Sequence, residues 1–309
     1  MKKAIITGPT GAVGTALAEL LIQRNYEVFA ICRPNSPNIS NLKPNHNLHV
    51  IECDISKLLT LKDKLDLGFD VFYHLAWGGT FGESRNASSL QLDNIKYTMD
   101  AVELASGLGC KTFIGAGSQA EYGHFTKAAD ENTLTKPFSL YGAAKLSAGN
   151  LSRVLANDLG IRHIWTRIFS VYGPNDDERT LVSYVINEIK NNKQPALTKG
   201  EQVWDYLFNF DAANALIKLS EKGKNGETYN IASGENKLLK EYINDIAKII
   251  NPSLKLSFGQ KPYGENQVMF LSADITKLKN DTGFVPEYSF EAGIRKILEL
   301  QNEGNGFEN

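Results

Sequence analysis

The chain has 309 residues, of which 42% are hydrophobic and 22% are charged, enough for one large or two interlocked globular domains. A formal net charge of −2 gives no reason to expect nucleic acid or an anionic membrane as a partner, and no apolar run is long enough to cross a bilayer. The three cysteines form no CxxC pair and the five histidines show no metal-ligand spacing. We therefore expect buried thiols in a reducing cytoplasm and no metal site.

Short apolar runs alternate with helical stretches through the first half of the chain. The opening residues are typical of a strand rather than of a signal peptide. The predicted strands are 4–7, 28–31, 49–52, 71–75, 112–114 and 164–168, and the predicted helices are 12–24, 90–105 and 140–157. This alternation predicts an α/β fold with a doubly wound, parallel Rossmann sheet, which binds ligands at the carboxyl ends of its strands.

The alternation loosens beyond Gly173-Pro174. Helices are predicted at 182–191 and 239–250, and a strand at 228–231. We expect a dinucleotide-binding domain over 1–173, with a return segment near 205–233. A smaller, interleaved α/β substrate domain covers most of 174–309. The polar end of the chain, 301–309, is predicted to fray.

A glycine-rich turn, Thr-Gly-Pro-Thr-Gly-Ala-Val-Gly at 7–14, joins the first strand to the first helix. Glycines at such a turn let the backbone approach a pyrophosphate, while the helix N-terminus offers N–H donors. An ordinary tight turn is the alternative, but the position between strand and helix favours a dinucleotide site. Its candidate residues are Gly8, Thr10, Gly11, Ala12, Val13 and Gly14.

The end of the second strand bears on the choice of cofactor. A carboxylate at this point usually accepts a hydrogen bond from the ribose of NAD, whereas this chain has Arg33 and no acidic residue there. A guanidinium can pair with a 2′-phosphate. The alternative is a surface arginine. The sequence thus favours NADP, with NAD as the second choice.

Tyr141 and Lys145 are four residues apart, on one face of a predicted helix. A neighbouring ammonium stabilises a phenolate and lowers the pKa of the phenol, which would make Tyr141 an acid or base near neutral pH. This spacing alone occurs in many solvated helices. It gains meaning only from the surrounding motifs.

With these motifs in order, the chain resembles the extended short-chain dehydrogenase/reductase family of nucleotide-sugar epimerases, dehydratases and reductases. The likeness runs from about residue 3 to about residue 298. Besides the glycine-rich turn, the matching positions are Asp54, His74-Leu75-Ala76 with Trp77 in place of a second alanine, Asn94, Ser118 with Tyr122-Gly123, 137–145, 166–174, 229–235, Asp274 and 283–286.

The resemblance implies a catalytic triad. Ser118 would orient the substrate oxygen, Tyr141 would pass the proton, and Lys145 would hold the nicotinamide ribose. It also implies a homodimer built from the helices at 90–105 and 140–157. The implied cofactor-binding residues beyond the glycine-rich turn are Arg33, Asp54, Ile55, Leu75, Ala76, Trp77, Asn94, Tyr141, Lys145 and Phe169.

Departures from the family pattern narrow the reaction. Dehydratases carry Thr-Asp-Glu where this chain has Ser118-Gln119-Ala120, so water elimination lacks its acid and base. Two positions that usually contact a diphosphate are Ser170 and Trp204 here, so the diphosphate must be held differently or the substrate is unusual. The candidate substrate-binding residues are Trp77, Gly79, Thr80, Glu121, Ser170 and Trp204.

We therefore expect reduction of a 4-keto group on a nucleotide-linked deoxysugar. The alternative is a nucleotide-sugar 4-epimerase that keeps NAD tightly bound. Two further readings are less favoured: a reductase of non-nucleotide ketones or aldehydes, and a catalytically silent NAD(P)-binding regulator.

Overall fold

The computed structural model describes residues 1–264 and 267–305. The strands are β1 (Lys2–Thr7), β2 (Tyr26–Cys32), β3 (Leu48–Glu52), β4 (Val71–His74), β5 (Thr112–Ser118), β6 (Arg162–Ile168), β7 (Ser170–Tyr172), β8 (Val203–Trp204), β9 (Tyr206–Phe208), β10 (Thr228–Ile231), β11 (Lys237–Leu238) and β12 (Phe270–Leu271). The helices are α1 (Ala12–Gln23), α2 (Ser88–Gly107), α3 (Leu140–Asp158), α4 (Leu181–Lys190), α5 (Asn209–Lys222), α6 (Leu239–Ile250), α7 (Thr276–Thr282) and α8 (Phe290–Asn305).

Seven parallel strands form the main sheet, in the order β10-β6-β5-β4-β1-β2-β3. Helix α1 packs against α5, and α2 packs against α3. Consecutive residues of β1 enter different cores, with Ile5 in one cluster and Ile6 in the other. A strand buried on both faces is a nearly continuous apolar run, as Ala4, Ile5 and Ile6 are in the middle of β1. The predicted doubly wound Rossmann sheet is confirmed.

The C-terminal half builds a second, smaller layer. A three-stranded sheet in the order β11-β8-β12 and a two-stranded sheet of β7 and β9 lie beside helices α4, α6 and α8, which share a third apolar core. The chain returns to the main sheet in between, because β10 pairs with β6 at its edge. Elements of the second layer and of the Rossmann sheet therefore alternate along the chain.

Helix α8 continues through Asn305, so the predicted fraying does not apply to 301–305. The last four residues of the predicted tail, 306–309, lie outside the described residues. Cys32, Cys53 and Cys110 are free and buried, as expected. No helix in 1–264 or 267–305 is both long and apolar enough to cross a membrane.

Candidate active site

At two positions of the glycine-rich turn between β1 and α1, the neighbouring backbone leaves no room for a side chain. Gly8 has φ of +70°, and a Cβ on it would lie 2.8 Å from the backbone nitrogen of Ala76. A Cβ on Gly14 would overlap the carbonyl oxygen of Gly8. These two glycines let the turn fold back on itself and let the chain after β4 pass close by.

Gly11 has a different role, because a Cβ at this position would meet no protein atom within 4 Å. Gly11 is the N-cap of α1, and its side-chain position faces open space in front of the first turn at Ala12 and Val13. Helix N-termini favour phosphate groups. The open space and the free N–H donors fit the pyrophosphate of a dinucleotide, and the residues present can hold one.

The carboxyl ends of β2 and β3 supply the next two predicted residues. Arg33 directly follows β2, is exposed, and has no hydrogen bond or ion pair within the described part of the chain. Asp54 accepts hydrogen bonds from the Ser56 amide and hydroxyl at one carboxylate oxygen, and these bonds lower the pKa of Asp54. Ile55 begins the short turn after Asp54 and packs against the apolar cluster that contains Ile5.

The chain after β4 is fastened to its neighbours by hydrogen bonds. Leu75 and Ala76 donate their amides to the Thr7 carbonyl and hydroxyl, at 3.1 and 3.4 Å. Asn94, which is buried in α2, both accepts from the Gly78 amide and donates to the Gly78 carbonyl, each at 2.9 Å. The Asn94 side chain therefore holds the loop after β4 in place.

Ser118, Tyr141 and Lys145 meet where β5 ends and α3 begins. Ser139 caps α3 by accepting a hydrogen bond from the Gly142 amide, which fixes the first turn that carries Tyr141. Burial raises the pKa of Tyr141, while hydrogen bonding to Ser118 and the charge of Arg85 act in the opposite direction. The sequence-based expectation that Lys145 leaves Tyr141 with a lowered pKa is wrong for this arrangement, because the loss of hydration outweighs the neighbouring charges.

Lys145 is almost fully buried and donates a hydrogen bond to the carbonyl of Ala116 in β5. Burial lowers its pKa to about 7. Its ammonium lies 3.8 Å from the centre of the Trp77 ring. An ammonium has three donors. With one donor used on Ala116, the others can serve the hydroxyls of a bound ribose.

Glu121 differs from the sequence-based expectation of a substrate contact. Its side chain is fully buried and accepts hydrogen bonds from the Ser118 amide, the Trp165 indole and the Arg167 guanidinium, at 2.9, 3.0 and 2.8 Å. Although burial opposes the charged form, Glu121 raises the pKa of Arg167. Both carboxylate oxygens of Glu121 thus accept hydrogen bonds from the protein, and these bonds hold the end of β5 to β6.

The remaining predicted substrate residues lie in two groups. Ser170 and Trp204 come from different small sheets, and the Trp204 indole donates to the Ser170 hydroxyl at 2.7 Å. Gly79 and Thr80 form the loop after β4, where a Cβ on Gly79 would clash with Leu90. The predicted cofactor residue Phe169 is buried in the apolar cluster that contains Ile6, and it packs against the rings of Tyr122 and Phe125.

Two residues near the catalytic pair were not foreseen. The Arg85 guanidinium carbon lies 4.2 Å from the centre of the Tyr141 ring, and its side chain donates to the Thr80 carbonyl. Gln91, almost fully buried in α2, accepts from the Trp77 indole. No local pattern marks either residue, because their contacts depend on how the loop after β4 folds over α3.

A cleft with a volume of about 660 Å³ lies beside α1. It is lined by Thr15, Asn41, Pro174, Asn209 and Leu300, among others, and by none of the predicted site residues. The catalytic region is therefore located by its side-chain chemistry and not by cavity size.

Comparison with known proteins decides the family. The family model described as the NAD dependent epimerase/dehydratase family matches residues 4–232. The chain belongs to this family. It is an enzyme of the extended short-chain dehydrogenase/reductase type, and NAD is the cofactor named for the family.

Three members of the epimerase/dehydratase family show what this chain is similar to. CDP-abequose synthase of Salmonella muenchen is 27% identical, with 97% of this chain and 98% of that protein covered. The dTDP-glucose 4,6-dehydratase of Escherichia coli is 31% identical, but the match covers only 54% of this chain and 49% of that protein. The solved structure of UDP-glucuronic acid 4-epimerase from Bacillus cereus, in complex with UDP-glucuronic acid and NAD, is 25% identical with a TM-score of 0.83, covering 97% of this chain and 99% of that one.

Proposed function

We propose that the protein is an NAD(P)-dependent reductase that acts on the 4-keto group of a nucleotide-linked deoxysugar. The names of its relatives support a sugar nucleotide as substrate, since they act on CDP-, dTDP- and UDP-linked sugars. The meeting of Ser118, Tyr141 and Lys145 at the carboxyl edge of the sheet supports proton transfer to a sugar oxygen.

One observation carries the choice against dehydration. The positions beside Ser118 that would hold an acid and a base are Gln119 and Ala120, and the nearby carboxylate of Glu121 is held by Ser118, Trp165 and Arg167. Elimination of water needs a group that protonates the leaving hydroxyl and one that removes a carbon-bound proton. Transfer of one proton at an oxygen needs only Tyr141.

Each member of the triad has a defined task in this proposal. Ser118 holds the carbonyl oxygen of the sugar in line with the phenol, and Tyr141 donates its proton to that oxygen. Lys145 holds the cofactor ribose and adds positive charge beside the phenol. When bound, the nicotinamide cofactor supplies the hydride.

The preferred cofactor in this proposal is NADPH. Arg33 supports it, because its guanidinium is exposed beyond the end of β2 and unpaired within the described residues. A free guanidinium at this position suits a 2′-phosphate.

The second candidate is a nucleotide-sugar 4-epimerase. The similarity to the UDP-glucuronic acid 4-epimerase, over nearly the whole of both chains, supports it. An epimerase returns the hydride to the carbon that gave it, so it has no need to exchange its cofactor. A reductase must release the oxidised cofactor after every turnover.

The proposal includes a homodimer in the cytoplasm. The three free cysteines suit a reducing compartment. The dimer would form through α2 and α3, which lie side by side and expose Leu92, Leu151 and Val154.

The test supplies purified protein with NADPH or NADH and a series of nucleotide-linked 4-keto-6-deoxy sugars, and follows cofactor absorbance. We expect oxidation of NADPH by the wild type and a loss of at least about 10²-fold in kcat for Tyr141→Phe, since only the proton donor is removed. Tyr288→Phe, at a partly exposed ring that packs against Phe208, serves as the control. Retained NAD(H) that does not exchange, together with interconversion of 4-epimers, would replace this proposal by the epimerase. Absence of any turnover alongside normal cofactor binding would favour a regulator.

A further inference from the structure

The loop between β4 and α2 places an aromatic ring and a cation on the two members of the catalytic pair. The Trp77 indole lies 3.8 Å beneath the Lys145 ammonium, and the Arg85 guanidinium lies 4.2 Å from the centre of the Tyr141 ring. The rings of Trp77 and Tyr141 meet edge to face at 6.2 Å. The four groups thus form one stack, with a cation at each end and two aromatic rings between them.

This stack is held in place by one buried amide. Gln91 accepts a hydrogen bond from the Trp77 indole and donates to the carbonyls of Gly79 and Ser84, all at 2.9 to 3.0 Å. Ser84 directly precedes Arg85, whose guanidinium donates to the Thr80 carbonyl. The same side chain of α2 therefore fixes both Trp77 and the residue that precedes Arg85. A loop held this way presents Trp77 and Arg85 in a set geometry, not as mobile surface groups.

The surrounding charges show what these contacts can do. The charged and hydrogen-bonding groups that face the Tyr141 phenol are Ser118, Glu121, Lys145 and Arg85. Glu121 destabilises a phenolate, and Arg85 stabilises it. Arginine stays protonated at every pH at which the enzyme is folded. It therefore provides positive charge beside the phenol even where Lys145 loses its proton.

Lys145 is subject to opposing influences as well. Burial works against its charged form, and Glu121 works for it. Burial is the main cause that lowers the pKa of the His74 imidazole to about 3, and the nearby charge of Lys145 contributes to it. His74 is therefore neutral. An indole face attracts an ammonium most strongly when both are removed from water. Trp77 therefore adds stabilisation to the charged form of Lys145 at the place where water has been excluded.

We propose that Trp77 and Arg85 are positioning residues that set the proton affinity of the catalytic pair, Arg85 acting on Tyr141 and Trp77 on Lys145. The inference rests on the proposed function in taking Tyr141 as the group that exchanges a proton with substrate. It goes beyond that function by assigning the control of this exchange to the loop after β4.

The Arg85 arm of the test uses the pH dependence of kcat for ketone reduction. Loss of the cation raises the pKa of Tyr141, so the alkaline limb of the profile should move up by about one pH unit in Arg85→Gln. Arg85→Lys keeps a cation and should restore the wild-type limb. Arg179→Gln is the matched control, because its guanidinium also lies over an aromatic ring, Phe81, at 4.7 Å, but not over Tyr141. An unmoved limb in Arg85→Gln with a raised KM would overturn the proposal, since Arg85 would then act on substrate.

The Trp77 arm needs no substrate, so it remains informative if the proposed reaction is wrong. Intrinsic tryptophan fluorescence of the wild type should change with a midpoint near pH 7 as Lys145 loses its proton. The change should vanish in Lys145→Met and in Trp77→Phe, and remain in Trp204→Phe. Trp165 lies 6.3 Å from His163, whose pKa burial lowers to about 4, so its response falls in a separate range. A change near pH 7 that survives in Trp77→Phe would overturn the contact between Trp77 and Lys145.

Discussion

Burial governs the chemistry of Tyr141 and Lys145, the two proposed catalytic side chains. Tyr141 is 9% exposed and Lys145 is 3% exposed. Burial raises the pKa of the phenol and lowers that of the ammonium to about 7, which moves both groups toward their neutral forms. A neutral phenol is a proton donor, which is the form that reduction of a ketone requires. The environment of Tyr141 therefore suits the reductive direction.

Replacement of Lys145 should make the protein more stable at low and neutral pH. The unfolded chain binds a proton on this lysine up to about pH 10.5, whereas the folded protein binds it only up to about pH 7. Between these values the unfolded state holds more protons, so wild-type stability rises with pH, at up to about 1.4 kcal/mol per pH unit. At pH 6 to 7 we expect Lys145→Met to unfold at a higher urea concentration than the wild type. Its free energy of unfolding should be larger by more than about 1 kcal/mol. The advantage should shrink as the pH approaches 10.

The control for this measurement is Lys248→Met, at a lysine side chain that is 75% exposed. Its difference from the wild type should be small and should not follow the same pH dependence. A Lys145→Met variant that is less stable than the wild type at pH 6 would show that the bond to Ala116 outweighs the cost of burying the charge.

At the residue scale, the proposed preference for NADPH depends on Arg33. Its guanidinium would pair with a 2′-phosphate that NADPH has and NADH lacks, so Arg33→Ala should weaken NADPH by about tenfold or more and leave NADH nearly unchanged. Dissociation constants from cofactor fluorescence measure both. Arg295→Ala, at an exposed arginine of α8, is the control. Equal weakening of the two cofactors would remove the basis for the NADP preference.

At the scale of elements, the end of β5 is tied to β6 through a buried ion pair. Glu121 follows β5 in a short turn, and Arg167 comes from β6, with 2.8 Å between the carboxylate and the guanidinium. Trp165 fills the space between β5 and α3, where a Cβ on Gly149 would lie 2.7 Å from its ring. The helix that carries Tyr141 and Lys145 is therefore seated on the same strand ends that Glu121 holds together.

Glu121→Gln should destabilise the fold by about 3 kcal/mol, because it leaves the buried Arg167 charge without a counter-ion. Urea unfolding followed by circular dichroism measures the loss. Asp177→Asn removes one partner of an ion pair with Arg179, whose side chain is 68% exposed, and should have a much smaller effect. Equal losses in the two variants would mean that burial of the Glu121 pair contributes nothing.

The sequence predicted the strands of the main sheet and most of the long helices, but missed helices α5, α7 and α8 and the short strands outside the main sheet. The strands of the main sheet and helices α1 to α4 and α6 lie where expected. Helix α5 was missed because its buried face includes Asn209, Asp211 and Asn214. The Asp211 carboxylate accepts from the amides of Glu287 and Tyr288, a contact across 76 and 77 residues that no local pattern indicates.

The same limit applies to the site. Motif spacing predicts Ser118, Tyr141 and Lys145 as a catalytic triad, and the structure brings these three side chains together at the end of β5 and the start of α3. Motif spacing could not find Arg85, because Arg85 has no fixed spacing from Tyr141. Arg85 reaches the Tyr141 ring from the loop after β4, which Gln91 holds by a hydrogen bond to the Ser84 carbonyl. The spacing also gave Glu121 a role at the substrate, because the partner Arg167 is 46 residues away.

At the scale of the whole molecule, the two faces of α3 differ. Its inner face carries Tyr141 and Lys145, and its outer face exposes Leu151 at 48% and Val154 at 57%. Leu92 of the neighbouring α2 is 65% exposed. Exposed apolar side chains on two adjacent helices support the proposed interface. A second copy packed there would support the helix that holds the catalytic pair.

We therefore predict that Val154→Glu converts a homodimer into a monomer, because burying four carboxylate oxygens across a two-fold axis, two from each copy, is unfavourable. Sedimentation velocity measures the mass. Val285→Glu, at a residue that is 65% exposed between α7 and α8, should leave the mass unchanged. If Val154→Glu and the wild type have the same mass, the proposed interface is wrong. If the variant is monomeric and its kcat falls while its circular dichroism is unchanged, pairing of α3 with its copy contributes to holding Tyr141 and Lys145 in their working positions.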